Sequence, residues 1–420
     1  MMKFQNLSNK TIAIWGMGKE GTAVQQILKQ NTIDSKFLII TEENTQDIFK
    51  ADVLVKSPGV SLYRPEVQDA IQKGIVCTSG TNLFFSNKPE QTKVIAVTGT
   101  KGKSTTSSLL FHTLKTLGAN VGLAGNIGKP LILCLKEKND IIVAELSSYQ
   151  TADIKAEVEI AVLTNLYPEH LQWHTTHEKY YDDKINLLNQ SNLCIINGKH
   201  EKSIKKTNHL KNRVFFNNES EIHYKNGFFY DNKTKLFETK SLALMGEHNI
   251  ENACAVLCVL KKLGYSLQEA EKAFKSFTPL PHRLQILGTK NTLTYVDDSI
   301  STTPETSLAA VKTFLSYPFI ALIVGGLDRG QNYQELIQFL STLGNKACLI
   351  TLPDTGIKAY NIAKEKNIFC LNAQDMSEAV QLAQTYTKEN GVVILSPGAP
   401  SYNLYKNFEE RGQDFEKNIF

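Results

Sequence analysis

The chain has 420 residues, 42% of them hydrophobic and 21% charged, with a net charge of +4 at pH 7. These values describe an ordinary globular chain with room for two or three cores. They give no basic excess that would demand nucleic acid as a partner, and no apolar stretch long enough for a membrane span.

The first residues, Met-Met-Lys-Phe-Gln-Asn-Leu-Ser, lack the apolar core of a signal peptide. Seven cysteines are scattered with no C-x-x-C pair. Buried thiols in a reducing cytoplasm are therefore expected.

Thr11 to Trp15 predicts a strand, Gly16-Met17-Gly18-Lys19-Glu20-Gly21 a glycine turn, and the spacing of Ala23, Val24, Ile27 and Leu28 a helix. A second strand, Phe37 to Ile40, leads to Glu42 and Glu43. This is the pattern of a dinucleotide-binding βαβ unit. Taken alone, tight packing of a βα turn accounts for the glycines equally well. More βα punctuation follows up to Gly80, and the polar run Ser86 to Lys93 predicts a linker.

Val94 to Val97 predicts a buried strand, and Ser104 to Leu117 a helix with Leu109, Leu110, Leu114 and Leu117 on one face. Between them lies Thr98-Gly99-Thr100-Lys101-Gly102-Lys103-Ser104-Thr105. Strand, glycine loop, Lys-Ser and helix form a phosphate cradle. Loop N–H groups and the helix N-terminus face the anion, the lysine meets the outer phosphates, and the hydroxyl can ligate Mg2+. The loop is shorter than the usual G-x-x-x-x-G-K-[ST], since Val97 stands where the first glycine would be.

Val121 to Gly128 reads as a glycine-rich turn, and Ile141 to Ala144 as a strand ending at Glu145. A carboxylate at the end of a strand beside a phosphate loop is placed to hold Mg2+. A third strand, Ile160 to Leu163, ends in Thr164 to His170, and a helix carrying Tyr180 to Lys184 follows. His170, His174 and His177 lack the H-E-x-x-H order and have no cysteine nearby, so no zinc site is inferred.

Residues 191 to 245 alternate short strands and turns, with Asn226-Gly227 as a hairpin signal. A long apolar helix, Ala253 to Leu263, stops at Gly264. Thr278-Pro-Leu-Pro-His-Arg283 breaks the pattern, and βα units resume with strands at 293–296, 319–324, 348–352 and 392–395. The expected fold class is α/β: three consecutive Rossmann-like or P-loop-like domains with mostly parallel sheets, at 1–90, 91–281 and 282–420.

The phosphate loop resembles that of the Mur ligases, cytoplasmic ATP-dependent amide ligases that build the peptidoglycan stem peptide. The resemblance extends along the chain through Gly125-Asn-Ile-Gly128, Glu145-Leu-Ser-Ser148, Glu169-His170, Gly246-Glu-His-Asn249, Pro281-His-Arg283 and Asp298-Ser-x-Ser-Thr302. The first glycine loop, Gly325-Gly-Leu-Asp-Arg-Gly330 and the tail through Asn407-Phe-Glu-Glu-Arg-Gly412 look like the branch that adds glutamate to UDP-N-acetylmuramoyl-L-alanine. What this implies is a UDP-sugar domain, an ATP domain and an amino-acid domain. ATP phosphorylates the alanine carboxylate, and the amine of glutamate captures the acyl phosphate.

By resemblance, Gly99, Thr100, Lys101, Gly102, Lys103, Ser104 and Thr105 cradle ATP, with Asn249, Arg283 and Asp298 around the nucleotide. Ser104 and Glu145 hold a first Mg2+, and His170 a second. Lys184, fourteen residues after His170, matches a lysine that carries a CO2 adduct in many relatives; without the family it would read as a solvated helix lysine. Lys103, His170 and Lys184 are thus the expected catalytic group. Gly16, Met17 and Gly18 face the UDP pyrophosphate with Glu42 or Glu43 nearby. Asn126, Ser147 and Gln150 touch the muramoyl group, and Thr302, Arg329, Ser401 and Phe408 form the glutamate pocket. An arginine there can clasp a carboxylate bidentately. The expectation is a cytoplasmic monomer acting on small molecules, with neither nucleic acid nor membrane as partner.

Three places depart from the common glutamate-ligase pattern. Ile300 replaces a lysine, Pro-Gly-Ala-Pro-Ser-Tyr402 stands in the tail, and the first loop reads Ile-Trp-Gly-Met-Gly-Lys-Glu-Gly21. They resemble a less common branch that adds L-glutamate. D-glutamate is the default expectation, with the L-isomer as its competitor.

Overall fold

The computed structural model describes residues 2–420. Its contacts divide the chain into two compact units: residues 1–243 with 248–277, and residues 244–247 with 278–420.

The first unit carries three sheets. Strands β1 (Thr11–Trp15), β2 (Lys36–Ile40), β3 (Val53–Lys56) and β4 (Val76–Ser79) form a parallel sheet in the order β2-β1-β3-β4. Strands β5 (Lys93–Thr98), β6 (Val121–Gly125), β7 (Ile141–Glu145), β8 (Val158–Leu163), β9 (Ser191–Asn197) and β10 (Arg213–Phe216) form a second parallel sheet in the order β10-β9-β8-β5-β7-β6. Strands β11 (Ile222–Lys225), β12 (Phe228–Asp231) and β13 (Thr234–Glu238) make a small antiparallel sheet. Asn226 and Gly227 both take positive φ in its first turn, as a two-residue hairpin requires.

One apolar cluster joins the two parallel sheets: Ile12, Ile14, Val24, Leu83 and Phe84 share it with Ala96, Ile142, Ala144 and Leu163. The sheets of the first two expected domains therefore lie in one unit.

In the second unit, β14 (Gln285–Lys290), β15 (Leu293–Asp297), β16 (Ile320–Gly326), β17 (Ala347–Asp354), β18 (Cys370–Asn372) and β19 (Val392–Leu395) run in the order β14-β15-β19-β16-β17-β18. All pairs are parallel except β14 with β15. Its central strands read as unbroken apolar runs because both faces are covered. Ile320, Leu322 and Val324 enter one core, while Ala321 and Ile323 enter the other.

Two expectations are corrected. The linker begins later than Ser86, because Gly80–Asn87 is a helix capped by Ser79 Oγ accepting from the Asn82 N–H at 3.2 Å. Ser86 is buried within it, its hydroxyl donating to the Asn82 carbonyl at 2.8 Å. The glycine-rich stretch 121–128 is a turn only in its second half, since Val121–Gly125 pairs along β7 as an edge strand.

All seven cysteines are free thiols, six of them buried, and Cys77 is partly covered. Burial raises the thiol pKa throughout. Among the described residues no helix is long and apolar enough to cross a membrane.

Candidate active site

Strand β5 lies between β7 and β8, so the loops leaving these three strands meet at one end of the sheet, where open α/β folds place ligands. The loop after β5 is the phosphate loop, and the helix Lys103–Thr116 starts directly from it.

Two of its glycines are dictated by their surroundings. Gly99 takes φ 143, and a Cβ there would lie 1.9 Å from Thr164 Oγ1. Gly102 takes φ 84, and a Cβ there would lie 2.5 Å from Asn252 Oδ1.

The loop is held from outside. Thr164 Oγ1 donates to the Lys101 carbonyl at 2.6 Å, and the Lys101 N–H donates to Asn165 Oδ1 at 2.8 Å. The Thr100 hydroxyl lies 2.9 Å from the Tyr180 hydroxyl. Lys103 Nζ donates to the Thr100 carbonyl at 2.8 Å, folding the ammonium over the loop.

The acidic and basic groups around this loop are ordered by burial. Glu145, at the end of β7, is fully buried; Asn126 Nδ2 donates to its Oε1 at 2.8 Å, while its Oε2 has no hydrogen-bond partner. A buried carboxylate oxygen without a donor is costly unless something else meets it.

Lys101 pairs with Glu169 at 2.5 Å. Burial opposes ionisation of Glu169, yet Lys101 brings its carboxyl below the usual range. Lys184 is 2% exposed, and its Nζ donates to the Gly99 carbonyl at 2.7 Å. Burial, reinforced by Lys103, holds the Lys184 amine well below the ordinary lysine pKa.

His170 adopts φ 56, ψ 37, an uncommon backbone for a residue with a side chain. Its Nε2 lies 3.6 Å from Glu169 Oε2. Surrounding protein lowers its pKa, as do the ammonium groups of Lys184 and Lys103, against the pull of Glu169. Its side chain is still 47% exposed, so desolvation is partial and the charged neighbours Glu169 and Lys103 also bear on it.

Of the residues expected to touch the muramoyl group, Asn126 supports Glu145. Ser147 and Gln150 form a capping box, with the Gln150 amide also donating to Glu20 Oε1 at 2.8 Å. Glu20 stands in the first turn of the helix Lys19–Asn31, directly after the first glycine loop, where Ser57 Oγ donates to the Gly16 carbonyl at 2.5 Å. Met17 is exposed at the edge of that loop. Glu42 points to solvent and pairs with Arg64. Asn249 is buried on the helix Glu247–Leu263.

A group that sequence reading passed over lies beside the phosphate loop. Tyr63 OH donates to Asp183 Oδ1 at 2.6 Å, Asp183 Oδ2 lies 2.5 Å from His174 Nδ1, and His174 Nε2 lies 2.9 Å from Ser148 Oγ. His174 and Ser148 are buried, and Tyr149 stacks on the rings of Trp173 and His174. Burial makes the Ser-His-Asp chain a strut rather than a nucleophile. It ties the segment beyond β3 to the residue before Lys184 and to the turn after Glu145.

In the second unit, Asp298 is buried and accepts from Ser301 Oγ, Ser396 Oγ and the Leu284 N–H at 2.5, 2.7 and 3.2 Å. Burial pushes its carboxyl up to about 6. Arg283 lies just before β14. Thr302, Arg329 and Ser401 follow β15, β16 and β19, three neighbours in one sheet, and Phe408 opens the helix Phe408–Ile419. Arg329 lies 5.7 Å from the Tyr402 ring centroid.

A phosphate-bearing nucleotide and a hard cation fit the first of these sites: two glycines that admit no side chain, two lysines, a hydroxyl at a helix start and an orphaned buried carboxylate oxygen. Among the described residues no cluster of three or more His, Cys, Asp or Glu side chains could hold an ion alone. A cation here would draw on Ser104, Glu145 and the nucleotide's own oxygens.

A family model described as the Mur ligase middle domain matches residues 97–260. The UDP-N-acetylmuramoyl-L-alanine--L-glutamate ligase of Xanthomonas euvesicatoria is 35% identical, over 99% of this chain and 96% of that protein. The chain belongs to the Mur ligase family. A Mur ligase of the same description from Xylella fastidiosa is 34% identical over the same shares of both chains. The fold agrees: the structure of a MurF ligase from Thermotoga maritima in complex with ADP aligns with TM-score 0.64 at 17% identity, covering 98% of this chain and 96% of that one. As a Mur ligase, the chain is an ATP-dependent amide-forming enzyme.

Proposed function

We propose that this Mur ligase joins L-glutamate to the alanine carboxyl of UDP-N-acetylmuramoyl-L-alanine, consuming ATP, as a cytoplasmic monomer in peptidoglycan precursor synthesis. The observation that carries the reading is similarity along the whole chain to ligases named for that reaction. Those names carry the L-isomer, so L-glutamate displaces D-glutamate as the favoured amino acid. The departures at Ile300 and in the tail support the same choice.

In this reading the loop Gly99 to Thr105 cradles the ATP phosphates and Lys103 neutralises charge on the transferred phosphoryl group. Ser104, Glu145, His170 and a carbamylated Lys184 would hold Mg2+, which supplies charge neutralisation when bound. The uncharged Lys184 amine is the form that adds to CO2, giving a carbamate and releasing a proton. Asn126 keeps the Glu145 carboxylate turned inward, and Glu20 with Gln150 shapes the wall toward the sugar. Gly16, Met17 and Gly18 receive the UDP group, and within the second unit Thr302, Arg329, Ser401 and Phe408 receive the glutamate.

Phosphate release from ATP is expected only when UDP-N-acetylmuramoyl-L-alanine and L-glutamate are both present, with D-glutamate run in parallel. Release independent of the sugar nucleotide would overturn the reading. Faster turnover with D-glutamate would reverse the assigned hand.

A further inference from the structure

Arg411 is 1% exposed, and among the described residues no carboxylate forms an ion pair with it. A buried guanidinium of this kind is retained only when its donors are met. Here they are met by carbonyls and one serine hydroxyl from the ends of, or the segments just beyond, three adjacent strands. Nη2 donates to the Ser299 carbonyl at 2.8 Å and to the Ala399 carbonyl at 3.0 Å. Nε donates to Ser299 Oγ at 3.1 Å, and Nη1 reaches the Gly325 carbonyl at 3.5 Å. Ser299 Oγ in turn donates to the Phe408 carbonyl at 2.8 Å, closing the set onto the arginine's own helix.

The fit leaves no slack. Gly326 takes φ 150, and a Cβ there would lie 2.9 Å from Arg411 Nη1 and 2.4 Å from the Pro400 carbonyl oxygen.

Each segment gripped by this one side chain carries a residue of the proposed glutamate pocket: Thr302 beyond Ser299, Arg329 beyond Gly325, Ser401 beyond Ala399, and Phe408 at the head of the helix. We infer that Arg411 is the positioning residue of the amino-acid pocket, setting the spacing of four pocket walls without itself touching glutamate. The inference rests on the proposed function.

Lysine at 411 keeps the charge but cannot supply the same fork of donors. With the full chain, ATP, the sugar nucleotide and L-glutamate, Arg411→Lys should raise the KM for glutamate about tenfold and leave those for ATP and the sugar nucleotide near wild type. Guanidinium chloride at millimolar concentration should restore part of the glutamate affinity to Arg411→Ala. If the alanine variant does not fold, the lysine variant alone decides. An unchanged glutamate KM, or an equal rise in all three constants, overturns the inference. Wild-type protein that turns over neither isomer of glutamate sinks the proposed function, and the inference with it.

Discussion

Lys184 Nζ lies 2.7 Å from the carbonyl oxygen of Gly99, so the lysine expected to carry a CO2 adduct touches the first glycine of the phosphate loop. Burial and the neighbouring Lys103 ammonium lower the pKa of this amine well below the ordinary lysine value, which favours its uncharged form. Turnover should therefore fall when bicarbonate and dissolved CO2 are removed and return when they are restored, with 13C-bicarbonate giving a carbamate signal that Lys184→Arg loses. Activity indifferent to CO2 would count against the adduct.

Lys103 folds over the phosphate loop from the first turn of its helix. Replacing it by alanine removes a cation from the developing charge, a loss of about 100- to 1000-fold in kcat by analogy with single stabilising donors. Binding of the sugar nucleotide, measured by calorimetry, should change little. Near-normal turnover in Lys103→Ala would refute its role.

The Tyr63–Asp183–His174–Ser148 chain makes a stability prediction. Asp183→Ala strips a partner from both Tyr63 and His174 and should cost about 2–4 kcal/mol in denaturant unfolding. Tyr63→Phe removes one bond and should cost about 1–2 kcal/mol. If both variants unfold at the wild-type midpoint, the strut bears no load.

Asp298 gives a pH dependence with a definite sign. Its folded pKa of about 6 lies above the ordinary 3.8, so the folded protein binds more protons between those values. Its contribution therefore falls as pH rises from about 4 to 6, leaving a cost of about 3 kcal/mol at neutral pH. Asp298→Asn, whose amide can bond to the Ser301 and Ser396 hydroxyls, should be more stable than wild type at pH 7 and lose that advantage near pH 4. Equal wild-type and variant stability across this range would show that the carboxyl is not strained.

Sequence carried the phosphate loop far because its demands are local: strand, glycine, lysine and helix follow one another within a dozen residues. Glu145 was legible for the same reason, as a carboxylate ending an apolar strand. The His174 network was not, since Tyr63 and Ser148 lie far from Asp183 in sequence and nothing local to His174 signals its burial. The helix Gly80–Asn87 was obscured by its polar end, where Ser86 is buried by partners elsewhere in the chain. Arg411 lies within the tail motif Asn407 to Gly412, but its importance depends on three strand ends that only the sheet order makes neighbours.

The placement of the seven thiols has a consequence for handling the enzyme. With six enclosed and every one made a poorer nucleophile by its surroundings, the folded chain offers alkylating and oxidising reagents little beyond Cys77. Rapid modification at several cysteines would thus report loosening of the fold, long before a fall in turnover distinguished damage at the centre from damage elsewhere.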